Sequence, residues 1–288
     1  MTSRRAPFGV RLATAMAATG PLCVGIDPTS EHLSAWGLVD DAEGARAFGL
    51  ALVEASAGVV PIVKPQSAYF ERFGPAGALA LAEVCRTARD AGLLVLLDAK
   101  RGDIGSTNRA YAEAYLRTDS PIPVDAMTIS PYTGVDSLEP FFTTAEQHGA
   151  GLFVLARTSN PEGQSIQAAR LADGRSVADA VAAEVGRRNT GDEIGSFGLV
   201  VGAAVDDRPA DLARMGGFVL APGIGAQGGD PALLGDRFAD VAARVVPTAS
   251  RSIAAVGPSS GALAAAVRAT RDACAHGLHA PAMVGGVA

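Results

Sequence analysis

Residues 93–107 read LLVLLDAKRGDIGST, an unbroken apolar run that ends in Asp98, Ala99 and Lys100 and then passes into a turn. A strand with one wet face alternates apolar and polar residues, whereas a run without alternation fits a strand covered on both faces, as in a parallel sheet under helices. Taking this run as Leu93–Lys100 and working outward, similar runs recur at Leu22–Asp27, Val59–Gln66, Ala126–Ser130, Gly151–Thr158, Gly198–Ala204, Gly217–Pro222 and Val245–Ile253. The segments between them carry helical spacing, such as Phe48, Leu52 and Ala55 after the first run and Leu234, Phe238 and Val241 after the seventh. Asp230-Pro231 and Gly257-Pro258 place proline where a first helical position is expected. Eight strand–helix alternations predict an α/β fold, a (β/α)8 TIM barrel, read as a single domain over residues 1–288.

Composition agrees with that reading and narrows the function. Hydrophobic residues make up 48% of the chain and aromatics 5%, so the core must be built from Ala, Val, Leu and Ile. A net charge of −6 without blocks of like charge removes the basic patch that a nucleic-acid binder needs. No apolar run reaches the roughly 18 residues of a membrane span, and Met1-Thr2-Ser3-Arg4-Arg5 is followed by no signal-like stretch, so a cytoplasmic protein without a membrane partner is expected. Cys23, Cys85 and Cys274 are scattered and odd in number, without metal-ligand spacing, and read as small buried hydrophobes; no metal is expected.

The basic residues carry more information. Of 24 Lys and Arg, only Lys64 and Lys100 are lysine. A chain that uses arginine for generic positive charge keeps lysine where an ammonium must hold or release a proton, which a guanidinium does not do. In a barrel the active site lies at the C-terminal strand ends, and there Asp27 closes the first run, Lys64 falls at the end of the second, and Asp98 and Lys100 close the third. Strand period two sends Asp98 and Lys100 to one face, with Cα atoms about 6–7 Å apart. The sequence continues to give Asp-x-Lys-x-x-Asp-Ile-x-x-Thr through Asp103, Ile104 and Thr107. Charges this dense at a barrel mouth are costly unless paired, and the structural alternative is an ion pair with Asp103 as a turn residue and Thr107 as a helix cap.

A second feature lies after the seventh run, where Pro222-Gly223-Ile224-Gly225-Ala226-Gln227-Gly228-Gly229-Asp230 forms a glycine-rich turn able to bring backbone N–H groups near an anion. Barrels bind phosphate at this position, and Arg251, near the end of the eighth run, can supply a charged fork. The same turn satisfies G-x-G-x-x-G, but it sits in the seventh β/α unit and no acidic residue follows on the next strand, which weighs against dinucleotide binding. The stretch from Ser159 to about Gly174 is long and polar and reads as a lid or as an ordinary surface excursion. His32, His148, His276 and His279 lie away from strand ends, and Ser259-Ser260 lacks a nucleophile elbow; all are read as structural.

The run LLDAKRGDIGSTNRAYAEAY over residues 96–115 resembles the signature of the orotidine 5'-phosphate decarboxylase family, and the segment RTSNP resembles its actinobacterial branch. The resemblance implies a cofactor-independent homodimer that converts orotidine 5'-monophosphate to UMP and carbon dioxide, the last step of de novo pyrimidine synthesis. It implies that Lys64, Asp98, Lys100 and Asp103 form a charged array at the reacting carbon, and that Asp103, Ile104 and Thr107 reach into the site of a second subunit. It further implies that Asp27 in CVGIDPT binds ribose hydroxyls, that Ser159 contacts the pyrimidine, and that Gln227 and Arg251 hold the phosphate. The residue before Arg251 is Ser250 where many relatives carry glycine, a departure that bears on the local backbone. Three alternatives remain at this point: a magnesium-dependent keto-gulonate phosphate decarboxylase, a Schiff-base aldolase using Lys64 or Lys100, and a barrel that binds a nucleotide phosphate without catalysis.

Overall fold

Every apolar run of the sequence becomes a strand whose side chains divide between two cores. In the computed structural model, which describes residues 5–122, 124–191, 193–209, 212–226 and 228–279, the strands are β1 (Cys23–Ile26), β2 (Ile62–Pro65), β3 (Leu94–Arg101), β4 (Ala126–Ile129), β5 (Gly151–Arg157), β6 (Phe197–Val201), β7 (Val219–Pro222) and β8 (Val245–Ala249). All are parallel, each pairs with the next, and β8 pairs with β1 to close the barrel. Cys23, Ile62, Leu96 and Phe153 point into the barrel, while their neighbours Val24, Val63, Leu97 and Val154 pack outward against the helices. This is strand period two with both faces apolar, the pattern of a sheet covered on both sides.

The helix Phe8–Thr19 precedes β1 and inserts Phe8 and Leu12 into the inner core. The Phe8 ring meets Phe153 edge-on, with centroids 6.0 Å apart. Its seat exists because residue 151 has no side chain: a Cβ there would lie 2.1 Å from the Phe8 ring. Gly151→Ala is therefore expected to lower stability by about 1–3 kcal/mol through overpacking, read as a lower midpoint in urea at unchanged slope. The buried carboxylate of Asp125 fastens the same helix, accepting from Arg11 at 2.5 Å and from Arg5, while also taking the Val95 N–H at 2.9 Å.

The expected strand–helix order holds, with local differences. The eighth run splits, because β8 stops at Ala249 and Arg251 opens a short helix, Arg251–Ala254. The seventh helical segment is broken at Phe238 into Leu234–Arg237 and a 3-10 turn, Ala239–Arg244, yet Leu234, Phe238 and Val241 are all buried as their spacing requires. Asp230 caps the turn that Pro231 opens, as expected, whereas the last long helix runs Ser260–His279 and starts past Pro258. The 159–174 stretch contains two short helical turns, Pro161–Gly163 and Gln164–Gln167. Cys23, Cys85 and Cys274 are buried and unpaired as disulfides. Among the described residues no helix is long and apolar enough to cross a membrane.

Candidate active site

At the C-terminal mouth of the barrel is a cavity of about 390 Å³, within the range of small-ligand pockets. Its wall is apolar on one side, where Leu155, Val200 and Leu220 come from β5, β6 and β7, and charged on the other, where β1, β2 and β3 end. Asp27, Lys64, Asp98, Lys100, Ser159 and Arg251 all line it.

Asp98 is the centre of the charged side. One carboxylate oxygen accepts from Lys64 Nζ at 2.8 Å, and the other accepts from Lys100 Nζ at 2.6 Å and from Thr128 Oγ1 at 2.8 Å. Lys64 is 5% exposed and Asp98 7%, so neither charge could persist here alone. Burial by itself favours neutral forms of both, but their mutual attraction wins. The Asp98 carboxyl is held well below the ordinary carboxylate range by the two ammonium groups, and Lys64 is held above the ordinary lysine value by the charges of Asp98 and Asp27. Lys100 is different in kind: its side chain is 44% exposed and extends into the open cavity beside Gln66, whose Oε1 is 3.5 Å from Nζ.

Asp27 follows β1, and one of its oxygens accepts from Ser250 Oγ at 2.5 Å. The other, Oδ1, is buried with no partner among the described residues, so it is an acceptor in a cavity wall available to something else. Ser250 takes the position after β8 at φ −135°, which needs no glycine, and its side chain is put to use on Asp27. At the rim, Thr158 is tied to Gln167 through its N–H at 3.0 Å and its hydroxyl at 2.8 Å, so the start of the 159–174 stretch is bound to its own short helix.

The glycine-rich turn after β7 differs from expectation. Positive φ at Gly223, Gly225 and Gly228 lets the chain fold tightly on itself, but the N–H groups of Ile224, Gly225, Ala226, Gly228 and Gly229 already donate to backbone carbonyls. Those five amides do not form an open anion cradle, and Arg251 is the cationic group at this end of the cavity. Gln227 lies outside the described residues.

Three expected site residues stand apart from this cavity. Asp103, Ile104 and Thr107 follow β3 at the same end of the barrel, yet none lines the pocket of their own chain, so Asp103 is not part of the array around Lys100 within one copy. Ile104 is 63% exposed and Thr107 is exposed. Their loop is rigidly held, because the buried Asn108 side chain accepts from Asp103 N at 2.8 Å and donates to Asp103 O at 2.5 Å and to Ser137 O at 2.7 Å.

Sequence reasoning missed Gln66, Thr128, Thr158, Thr248 and Ser250, all of which line the cavity. Each lies at or just past a strand end, so the strand-end rule applied to uncharged polar residues would have found them. Tyr69, on the short helix after β2, offered no such signal. The four histidines line no part of the cavity; His32 stacks on Phe48 and its Nδ1 lies 2.9 Å from the Asp27 carbonyl.

Comparison with known proteins follows the same lines. A protein from Salinispora arenicola named orotidine 5'-phosphate decarboxylase is 52% identical over 260 residues, 90% of this chain and 94% of its own length. A protein of the same name from Streptomyces coelicolor is 51% identical over 258 residues, 89% of this chain and 93% of its own. The crystal structure of a Streptomyces avermitilis protein assigned to the same enzyme superposes with a TM-score of 0.92 at 48% identity, covering 96% of this chain and 98% of that one. The sequence pattern of the orotidine 5'-phosphate decarboxylase / HUMPS family matches residues 20–266, and the chain belongs to that family.

Proposed function

We propose that this chain decarboxylates orotidine 5'-monophosphate to UMP and carbon dioxide, and that it does so without a metal or organic cofactor. The observation that carries the reading is the buried carboxylate of Asp98 held between Lys64 and Lys100 at 2.8 and 2.6 Å, with Lys100 by far the most exposed of the three to the cavity they line. Loss of carbon dioxide breaks the bond from C6 of the ring and leaves its electron pair on that carbon, which has no ordinary resonance stabilisation. The Lys100 ammonium stabilises that pair electrostatically and then delivers its proton to C6. Asp98 keeps the ammonium charged and aimed, and it lies where the substrate carboxylate would sit, so like-charge proximity opposes the bound ground state. Lys64 balances the acidic groups. The unpartnered Oδ1 of Asp27 suits a ribose hydroxyl, Ser159 the pyrimidine, and Arg251 with Gln227 the phosphate. Binding energy from the phosphate, remote from the breaking bond, is then available to close the mouth and raise the chemical rate.

The chain acts as a homodimer in this reading, with Asp103, Ile104 and Thr107 of each copy completing the other's site; the exposure of Ile104 and Thr107 beside the mouth and the Asn108 clamp on Asp103 support it. A Schiff-base mechanism through Lys64 is disfavoured, because a lysine held as ammonium by Asp98 and Asp27 lacks the free amine pair that attacks a carbonyl. The direct test is loss of orotidine monophosphate absorbance in the presence of a strong chelator; no turnover, or turnover abolished by the chelator, overturns the proposal. Arg251→Ala is expected to weaken binding of UMP about 10–100-fold, the worth of charge-assisted hydrogen bonds, while uridine binding changes little. Titration calorimetry with both ligands checks this, and an equal effect on UMP and uridine would place the phosphate elsewhere.

A further inference from the structure

Strand β3 leaves its register as it reaches the site. Leu97 pairs with Met127 and Arg101 with Ile129, so Asp98, Ala99 and Lys100 together face Thr128 on β4. A bulge of this kind withdraws backbone groups from the ladder and re-aims side chains. Here it also sets Lys100 at φ +45°, the left-handed region, where among the described residues every other occupant is glycine. A non-glycine residue in that region is strained and persists only when its surroundings hold it there.

We infer that Thr128 is the positioning residue that holds Lys100 and Asp98 in their reactive arrangement. Its single hydroxyl does two things at once: it accepts the Lys100 backbone N–H at 3.0 Å, replacing the ladder bond lost to the bulge, and it donates to Asp98 Oδ1 at 2.8 Å. The same carboxylate oxygen receives Lys100 Nζ at 2.6 Å, so the hydroxyl closes a loop from the lysine's main chain to its own ammonium group. Thr128 is 1% exposed, and its β-branched side chain has a restricted χ1, which fixes the direction of both bonds. The inference rests on the decarboxylase reading for its catalytic consequence, but not for its structural one.

The test compares Thr128→Val, which keeps shape and removes both bonds, with Thr128→Ser, which keeps the hydroxyl. In Thr128→Val we expect kcat to fall about 100-fold with KM for orotidine monophosphate nearly unchanged, since misplacement by an ångström or less affects the transition state more than binding. Thr128→Ser is expected to recover to within about 10-fold of the parent chain. Independently of activity, the Lys100 amide should lose most of its protection from hydrogen exchange in Thr128→Val and keep it in Thr128→Ser. If the valine variant does not fold, Thr128→Ala carries the same two readouts. Valine or alanine variants with parental kcat, a serine variant as impaired as valine, or a Lys100 amide equally protected in all would each overturn the inference. A parent chain that leaves orotidine monophosphate intact overturns the decarboxylase reading instead, and the amide readout still decides the role of Thr128.

Discussion

Lys100→Ala is expected to lower decarboxylation by about four orders of magnitude or more, with the fold retained. The size follows from what the ammonium is asked to do: a positioned general acid contributes about 10²–10⁴-fold, and a charge aimed at a developing anion about 10²–10³-fold, and one group supplies both here. Folding should survive because the Lys100 side chain is 44% exposed and Asp98 keeps Lys64 and Thr128 as partners when it is gone. Lys100→Arg separates the two contributions, since it restores charge without a usable proton and should remain far below the parent. Backbone geometry gives a further check at the same position. Glycine in a strand interior costs about 0.5–1 kcal/mol relative to alanine, but at φ +45° alanine carries the left-handed penalty, so Lys100→Gly should be no less stable than Lys100→Ala. Absorbance assays of turnover with thermal melts of the three variants measure all of this. Near-normal turnover by Lys100→Ala removes the residue from the chemistry.

The barrel was legible because its signal is local and repeated: each unbroken apolar run reports a strand covered on both faces, and the alternation of Cys23 with Val24 or Leu96 with Leu97 between the two cores follows from strand period alone. The charged side of the site was legible for a related reason, since Lys64, Asp98 and Lys100 interrupt runs that otherwise admit no charge. What stayed hidden depends on register and on bonds between distant positions. Nothing in DAKR announces that three residues of β3 face one of β4, or that Lys100 adopts positive φ. The place of Thr128 near a strand end could have marked it as cavity-lining, but its bonds to Asp98 and to the Lys100 main chain show only once β3 is set against β4. The glycines after β7 correctly marked a tight turn, but whether its amides face outward or are already bonded is settled by the fold of the turn: those of Gly225, Ala226, Gly228 and Gly229 return to its own carbonyls and that of Ile224 goes to Thr248 on β8. Arg251 was found by its charge and misplaced by its element, because Val245–Ile253 has no local break to show that the strand stops at Ala249.

Asp98→Ala should be the most destabilising change at the site and should reverse the alkaline pH dependence of stability. Removing the carboxylate leaves the Lys64 ammonium, 5% exposed, without its 2.8 Å partner, and breaking a buried pair in this way costs about 3–5 kcal/mol. In the parent chain Lys64 is raised above its unfolded value of 10.5, so its contribution is fully present below that pH and is lost as pH rises through the folded value. Without Asp98 burial prevails, and the folded Lys64 value falls below the unfolded one. The unfolded state then binds more protons over the interval between them, and stability rises with pH there. The buried thiols of Cys85 and Cys274, pushed up to about 12 by desolvation, lower stability at high pH in both proteins and cancel from the difference, whereas Cys23, which feels the charges of Lys64 and Asp98, is part of the same coupled array. At the acid end the parent loses stability as pH falls below the unfolded carboxylate range and through the depressed Asp98 value, and the variant lacks that loss. Urea unfolding across pH 7 to 10.5 measures the difference between the two curves. A deficit in Asp98→Ala that stays constant across that window would mean that Lys64 finds another counter-charge, and the electrostatic account of the Lys64–Asp98–Lys100 array would fail with it.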